Sequence, residues 1–275
     1  MLPLLRMAGW RKPAAPFEMR IDGKVVLITG ASEGIGAACA AVFRKRGARL
    51  SLAARSGDKL RAVGGPEALV TAGDLTTAEA RETAVAATME RFGAVDILIN
   101  NAGMGLYNAA WSTPLADARR LFELNFFAPL AMTQLVAPHM RRRGSGMIVN
   151  VSSVAGKVTL PWLTLYSASK CALCSLTDGL RMELKRDGIH SITVCPGYVK
   201  TDFQQHALGG GPPPQIARSK QFAITPEQCA EAIARGVERG ARTVMAPRAN
   251  WLLVLAERLL PSLVDAQLAA MLHDI

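Results

Sequence analysis

Short hydrophobic runs bounded by Gly, Asp or Asn alternate along this chain with longer stretches whose apolar residues recur every three or four positions. That alternation predicts an α/β architecture, a parallel sheet with helices on both faces. Strands are expected over Lys24–Thr29, Arg49–Ala53, Ala68–Ala72, Val95–Ile99, Gly146–Val151, His190–Cys195 and Arg242–Ala246. Between Gly34 and Arg46, Ile35, Cys39, Val42 and Phe43 share one helical stripe, and Gly47 supplies a stop suited to a left-handed residue. This segment is the first crossover helix. Thr225-Pro226-Glu227 opens a later one, with Thr225 as N-cap and Pro226 at the first helical position.

Two stretches depart from the pattern. Phe203 to Phe222 lacks periodicity and joins Gly209-Gly210-Gly211 to Pro212-Pro213-Pro214 directly after a strand end, which suits a lid over a ligand site spanning residues 202–224. From Asn250 to Leu272, Trp251, Leu252, Leu255, Leu259, Leu260, Leu263 and Leu268 mark two amphipathic helical pieces broken at Pro261. These are expected to pack on the domain or on a partner subunit, with weak membrane-surface contact as the alternative. The chain divides into an N-terminal arm (1–20), one domain (21–248) and a helical tail (249–275).

At 275 residues and 50% hydrophobic content, the chain suits one large core. Its net charge of +10 favours anionic partners. Apart from Arg141-Arg142-Arg143 the cations are scattered, with no aromatic-interleaved basic stripe, which argues against nucleic acid. No window reaches the ~18 apolar residues of a spanning helix. In the arm, Leu2, Leu4 and Leu5 mix with Arg6, Arg11 and Lys12, a pattern expected of a flexible segment rather than a signal peptide. Five cysteines, an odd number, point to a reducing compartment and a cytoplasmic location. Cys171 and Cys174 form a C-x-x-C in a predicted helix, where they are expected to fill the core, since nothing nearby completes a metal site.

The strand Val25 to Thr29 leads into Gly30-Ala31-Ser32-Glu33-Gly34-Ile35-Gly36 and a helix. Gly30 permits a tight turn, Gly34 lets backbone approach a pyrophosphate, and Gly36 allows close helix packing, while free N–H groups at the helix start face the phosphates. Gly30, Ser32, Glu33, Gly34, Ile35 and Gly36 are therefore candidate dinucleotide contacts in a single Rossmann-type, doubly wound domain with a seven-stranded, mostly parallel sheet. At the end of the second strand Ala54-Arg55 replaces the acidic residue that would bind a ribose 2′-hydroxyl. A guanidinium there favours NADP(H). Glu33, near the same phosphate, opposes that preference unless it turns outward, so NAD(H) remains the alternative. Asp74-Leu75 and Asn100-Asn101-Ala102-Gly103 stand at strand ends on the ligand edge; Asp74 can accept from adenine, and Ala102 and Gly103 can run along the ribose.

Tyr166-Ser167-Ala168-Ser169-Lys170 puts a phenol and an ammonium on one helix face. A nearby cation stabilises phenolate, so the tyrosine pKa is expected to fall from ~10 toward the working pH, as proton transfer requires. Ser152 and Ser153 end the strand Met147 to Val151 at the same edge.

Taken in order, Thr29 to Gly36, Asp74, Asn100 to Gly103, Asn125, Ser153, Tyr166 with Lys170, and Pro196-Gly197 leading to Thr201 resemble the classical short-chain dehydrogenase/reductase family over roughly Gly23 to Ala246. The resemblance implies an oxidoreductase interconverting a carbonyl and a secondary alcohol. It makes Tyr166 the acid/base, Lys170 both the group lowering its pKa and a ribose ligand, and Ser153, by family spacing rather than Ser152, the residue orienting the carbonyl. Asn125 is implied to hold a relay water, Asn101 to stabilise the central sheet, and Thr201 and the Val199 backbone to contact the carboxamide. It also implies a homodimer or homotetramer through helices around Asp117 to Arg143 and Thr164 to Arg186. No metal is required.

Phe203, Leu208, Ile216 and Phe222, with Leu160, Pro161, Trp162 and Leu163, suggest an apolar pocket for a lipid-like or steroid-like substrate. A beta-ketoacyl thioester on an acidic carrier is one alternative. A non-catalytic nucleotide-binding scaffold or redox sensor is another, opposed by the intact Asn125, Ser153, Tyr166 and Lys170 set. His139, His190, His206 and His273 accompany no G-x-S-x-G elbow, so a hydrolase lacks its parts; only His206, in the lid, is a candidate substrate contact.

Overall fold

A computed structural model describes residues 18–209, 211 and 223–270. Its strands are β1 (Val25–Thr29), β2 (Arg49–Ala54), β3 (Leu69–Ala72), β4 (Ile97–Asn100), β5 (Leu106–Tyr107), β6 (Gly146–Val151), β7 (Ile189–Pro196), β8 (Leu208–Gly209) and β9 (Thr243–Ala246). Its helices are α1 (Gly34–Lys45), α2 (Gly57–Gly64), α3 (Ala78–Phe92), α4 (Leu115–Phe122), α5 (Ala128–Arg143), α6 (Thr164–Glu183), α7 (Pro226–Glu238), α8 (Asn250–Leu259) and α9 (Pro261–Ala270). The main sheet runs β3-β2-β1-β4-β6-β7-β9, with every pair parallel. All seven expected strands are present, their ends shifted by a residue or two.

Period-two alternation splits the core. Val26 and Ile28 face one layer with Phe43 of α1 and Ile233 of α7, while Leu27 faces the other with Met132 and Val136 of α5 and Leu180 of α6. Burial on both faces explains why these strands are continuously apolar. The order reverses between β1 and β4, opening the crevice where such sheets bind ligands. The register Ile28↔Ile99, Asn100↔Asn150 and Val151↔Val194 brings the strand ends carrying Gly30, Asn101, Ser153 and Pro196 to that one edge.

Three features depart from expectation. Met19, assigned to the arm, is buried, its N–H donating to the Glu238 carbonyl at 3.0 Å, so packing begins before the predicted boundary. A second, two-stranded sheet pairs β5 with β8, too short for any periodicity to announce. Cys171 is exposed while Cys174 is buried, because positions three apart on α6 straddle the edge of its apolar face. The tail forms two helices broken at Pro261, as expected, and Val254 anchors α8 against Cys174, Cys195 and Met245. Trp251, Leu252, Leu255, Leu259 and Leu263 remain exposed. Among the described residues no helix is long and apolar enough to cross a membrane. Of the expected lid, Ile216 and Phe222 lie outside the described residues.

Candidate active site

Thr29 ends β1 fully buried, its hydroxyl donating to the Ile99 carbonyl and accepting from the N–H groups of Asn101 and Ala102 at 3.0 and 3.1 Å. Asn101 Nδ2 donates to the carbonyls of Thr29 and Gly30, both at 3.1 Å. The loop after β4 thus holds the glycine turn from behind. Gly30 has φ +63°, and a Cβ there would meet Ala102 Cα at 2.7 Å. At Gly36 a Cβ would strike the Gly30 carbonyl oxygen at 2.2 Å, so this glycine closes the turn on itself. Gly34 has φ +55° and faces Thr201, whose hydroxyl caps a short 3₁₀ turn, Asp202–Gln204. With Ser32, Glu33 and Ile35 between these glycines, the cradle is bare backbone at a helix start, which fits a dinucleotide pyrophosphate. A cleft of about 770 Å³ runs beside it along α1, lined by Gly34, Tyr198, Lys200 and Thr201.

Glu33 lines the same cleft. Its carboxylate pairs with Lys59 Nζ at 3.1 Å and with His206 Nδ1 at 3.0 Å, so its charge is engaged by two partners. His206, the candidate substrate contact, is thereby tied to the glycine turn. Arg55 stands exposed at the end of β2, close enough to Asp74 to help hold its carboxyl below the usual range, after the hydrogen bond from the Thr76 N–H. Asp74 Oδ1 already accepts from Thr76 N and Oγ1, and neighbouring Leu75 is buried.

Asn125 lies on a π-helical turn, Glu123–Phe127, between α4 and α5, a distortion that often marks functional sites. Its Oδ1 accepts from Met104 N at 2.9 Å, and its Nδ2 donates to Met104 O and Ser169 Oγ at 3.0 and 3.1 Å. The side chain is fully engaged in clamping the Ala102-Gly103-Met104 segment. Gly103 sits between Asn125 and Lys170: a Cβ there would lie 3.1 Å from Asn125 Oδ1 and 3.2 Å from Lys170 Nζ.

Ser153, one residue past Ser152 at the end of β6, is near enough to the Tyr166 phenol to favour its anion; its hydroxyl lies 3.5 Å from the Pro196 carbonyl and accepts from Ala155 N–H at 3.1 Å. Ser152 turns into the core, donating to the Lys170 carbonyl at 2.8 Å. Tyr166 and Lys170 share a face of α6, with Nζ 5.7 Å from the ring centroid and donating to the Val151 carbonyl at 3.1 Å. Both are buried, and burial sets the direction in which each pKa moves. It raises the Tyr166 pKa despite the opposing influence of Ser153, and lowers that of Lys170 to about 8. The expected fall of the tyrosine pKa is overturned here, because the cost of a buried phenolate exceeds the attraction of an amine that is itself desolvated and directed at Val151.

Around Tyr166, Leu106, Tyr107, Leu121, Ala155 and Leu163 form an apolar cluster joined by Leu160, Phe203 and Leu208. Phe203 meets the Tyr166 ring edge-on at 6.0 Å. Trp162 has φ +62° and a buried indole N–H without a partner among the described residues. Gly197 donates to the Ala246 carbonyl at 2.7 Å, and Val199 bridges Ile224, closing the start of the expected lid against β7. Sequence reasoning missed the polar rung Tyr107–Gln204–Tyr198, with hydrogen bonds of 3.0 and 2.6 Å, and the buried ladder Asn100–Asn150–Thr177. Asn100 and Asn150, polar within otherwise apolar strand runs, were the available signal.

The fold and this edge cluster define a dinucleotide-binding α/β oxidoreductase. The family model described as short chain dehydrogenase matches residues 24–208, and the chain belongs to that family, whose members are NAD(P)-dependent oxidoreductases acting on CH–OH groups. It is 39% identical over 202 residues to a zebrafish (Danio rerio) dehydrogenase/reductase SDR family member 7B, a match covering 69% of this chain and 65% of that protein, just under two thirds. An Arabidopsis thaliana 11-beta-hydroxysteroid dehydrogenase-like 2 is 34% identical, with 89% and 80% covered. A short chain dehydrogenase from Burkholderia cenocepacia solved with NADP superposes with TM-score 0.78 at 28% identity, covering 91% and 99%. One from Burkholderia phymatum solved with NAD gives 0.79 at 25% identity, covering 91% and 96%.

Proposed function

We propose that this protein reduces a bulky hydrophobic ketone or aldehyde with NADPH, using Tyr166 as proton donor. The observation that carries this reading is the buried Tyr166 ring with Lys170 Nζ 5.7 Å from its centroid, inside an apolar cluster at the ligand edge of the sheet where Ser153 follows β6. A phenol whose pKa is raised stays protonated at neutral pH, the state a carbonyl reductase needs at the start of its cycle. Ser153 would donate to the substrate oxygen while Tyr166 delivers its proton to the same atom, so the alkoxide that would form in water is neutralised as it develops. When bound, the nicotinamide supplies the hydride. Lys170 would meet its ribose, and the Gly30 to Gly36 turn, with Ala102, Gly103 and Asp74 beyond it, would hold the dinucleotide. Pro196, Gly197, Val199 and Thr201 line the carboxamide end. Asn125 acts by fixing the Gly103-Met104 backbone beside Lys170.

Arg55, together with Lys59 drawing Glu33 aside, supports NADP over NAD, because a 2′-phosphate would meet cations and a neutralised carboxylate. The apolar shell of Leu160, Leu163, Phe203 and Leu208 supports a lipid-like or steroid-like substrate, as does the hydroxysteroid name of the Arabidopsis relative. Exposed Phe127, at the end of the π-helical turn before α5, and Met182 on α6 suit a homo-oligomeric contact. Tyr166→Phe tests the assignment: NADPH-dependent turnover across a carbonyl panel should be lost with NADPH affinity unchanged, and near-normal turnover would refute it.

A further inference from the structure

The polar rung beside the site leaves one hydrogen unspent. Tyr107 ends β5 and is 7% exposed, packed in the same apolar cluster as Tyr166, Leu163 and Phe203. Tyr198, half-buried, follows β7 and lines the cleft beside the glycine turn. Gln204, next to Phe203 in the 3₁₀ turn, joins the two phenols, with 2.6 Å from the Tyr198 hydroxyl to Oε1 and 3.0 Å from Nε2 to the Tyr107 hydroxyl. Those lengths orient the amide, since O–H···O bonds centre near about 2.7 Å and N–H···O bonds near about 2.9–3.0 Å. Tyr198 therefore donates to Oε1, and Nε2 donates to Tyr107.

A phenol has one hydrogen to give and an oxygen that accepts. At Tyr198 the hydrogen is used. At Tyr107 the oxygen accepts, and the hydrogen has no acceptor among the described residues. Burial raises the Tyr107 pKa, so the hydroxyl keeps that hydrogen at neutral pH. The adjoining loop carries a second donor of the same kind. Asn108 N–H donates to the Trp162 carbonyl at 3.0 Å, and the Trp162 indole N–H is buried without a partner among the described residues, on backbone held at φ +62°. A buried donor with no acceptor is costly to keep. Two of them on adjoining segments beside an apolar cluster suit a pocket that takes an oxygen from its ligand.

We propose that Tyr107 is a specificity-determining residue that donates its O–H to a second oxygen of the hydrophobic substrate, distinct from the carbonyl that is reduced. The substrate class narrows from apolar ketones to oxygenated ones: diketones, hydroxyketones and keto ethers, whose further oxygen accepts. Gln204 positions the Tyr107 hydroxyl, and Tyr198 in turn holds Gln204. Phe203, one residue earlier, gives the apolar side of the same turn, edge-on to Tyr166 at 6.0 Å. The inference rests on the carbonyl-reductase reading, because it takes the Tyr166 cluster as the substrate wall.

Decalone, androstanone and their hydroxy and diketo derivatives are titrated by calorimetry into the full chain saturated with NADP⁺, a complex in which no ketone can be reduced. The parent should bind the best derivative about five- to fiftyfold more tightly than the matching monoketone, the span expected for one buried donor satisfied or left unmade. Tyr107→Phe keeps the ring and should bring that ratio to within about twofold of unity. Gln204→Leu, which leaves the phenol but releases it, should lower the ratio by a smaller factor. A purely structural rung would weaken both ligands together and leave their ratio where it was. A ratio unchanged in Tyr107→Phe, or a parent that binds every monoketone as tightly as its derivatives, would overturn this proposal and leave the carbonyl-reductase reading standing. Failure of all the ketones to bind would sink that reading and this inference with it.

Discussion

Replacing Gly36 by alanine probes the glycine turn directly. The added Cβ would lie 2.2 Å from the Gly30 carbonyl oxygen and 2.6 Å from Asn101 Nδ2, more than about 1 Å inside a normal contact near 3.5 Å. Neither neighbour is a free-swinging tip. The carbonyl belongs to the turn, and the Asn101 amide is fixed by bonds of 3.1 Å to Thr29 O and Gly30 O. The turn must therefore move, at about 1–3 kcal/mol for overpacking and about 1 kcal/mol more if the Asn101 bond to Gly30 is lost. In the proposed binding mode the N–H groups of this turn would face the pyrophosphate, so a comparable loss in binding would raise the NADPH Kd roughly ten- to hundredfold. Gly34→Ala makes a graded comparison: only Thr201 Cγ2 lies close, at 3.1 Å, and the left-handed backbone costs about 1–2 kcal/mol. Urea denaturation and fluorescence titration with NADPH read the two effects separately. A Gly36→Ala protein within about 0.5 kcal/mol of the parent and with unaltered NADPH affinity would refute this account of the turn.

Ser153→Ala should lower kcat about 100- to 1000-fold with little change in NADPH affinity; a shift in affinity alone would contradict a role at the substrate oxygen. Arg55→Ala should weaken NADPH binding about ten- to hundredfold and leave NADH binding unchanged, and equal losses for both would remove the 2′-phosphate argument. Because burial lowers Lys170 from 10.5 to about 8, the unfolded chain binds more protons than the folded one between those values, and stability rises with pH across that window. Lys170→Met lacks this slope, so urea midpoints at pH 7.5 and 9.5 should show the parent gaining on the variant as pH rises; parallel changes would mean the amine is solvated.

The positions proposed as catalytic were legible as a cluster because the signals that mark them are local. Tyr166 and Lys170 are four apart on one helix, the glycine turn is a contiguous run between a strand and a helix, and Ser153 follows a strand end. Features built across distant segments were not legible. Gln204 bridges Tyr107 and Tyr198, and Glu33 engages Lys59 and His206; no periodicity links such positions. Cys171 and Cys174 show the opposite error, an adjacency in sequence that a helix splits into one exposed and one buried side chain, while Cys195, packed in the same cluster as Cys174, lies on strand β7.

The sequence by itself determined the seven strands, their crossover helices and the edge where the reactive groups collect, since side-chain periodicity and turn chemistry act over a few residues. Tertiary structure alone decided the direction in which the pKa values of Tyr166 and Lys170 move. Solvent exclusion around Tyr166 and Lys170 arises from β5, β6, the 3₁₀ turn and α6 converging, and it reverses the sign that a tyrosine-lysine pair in water would suggest.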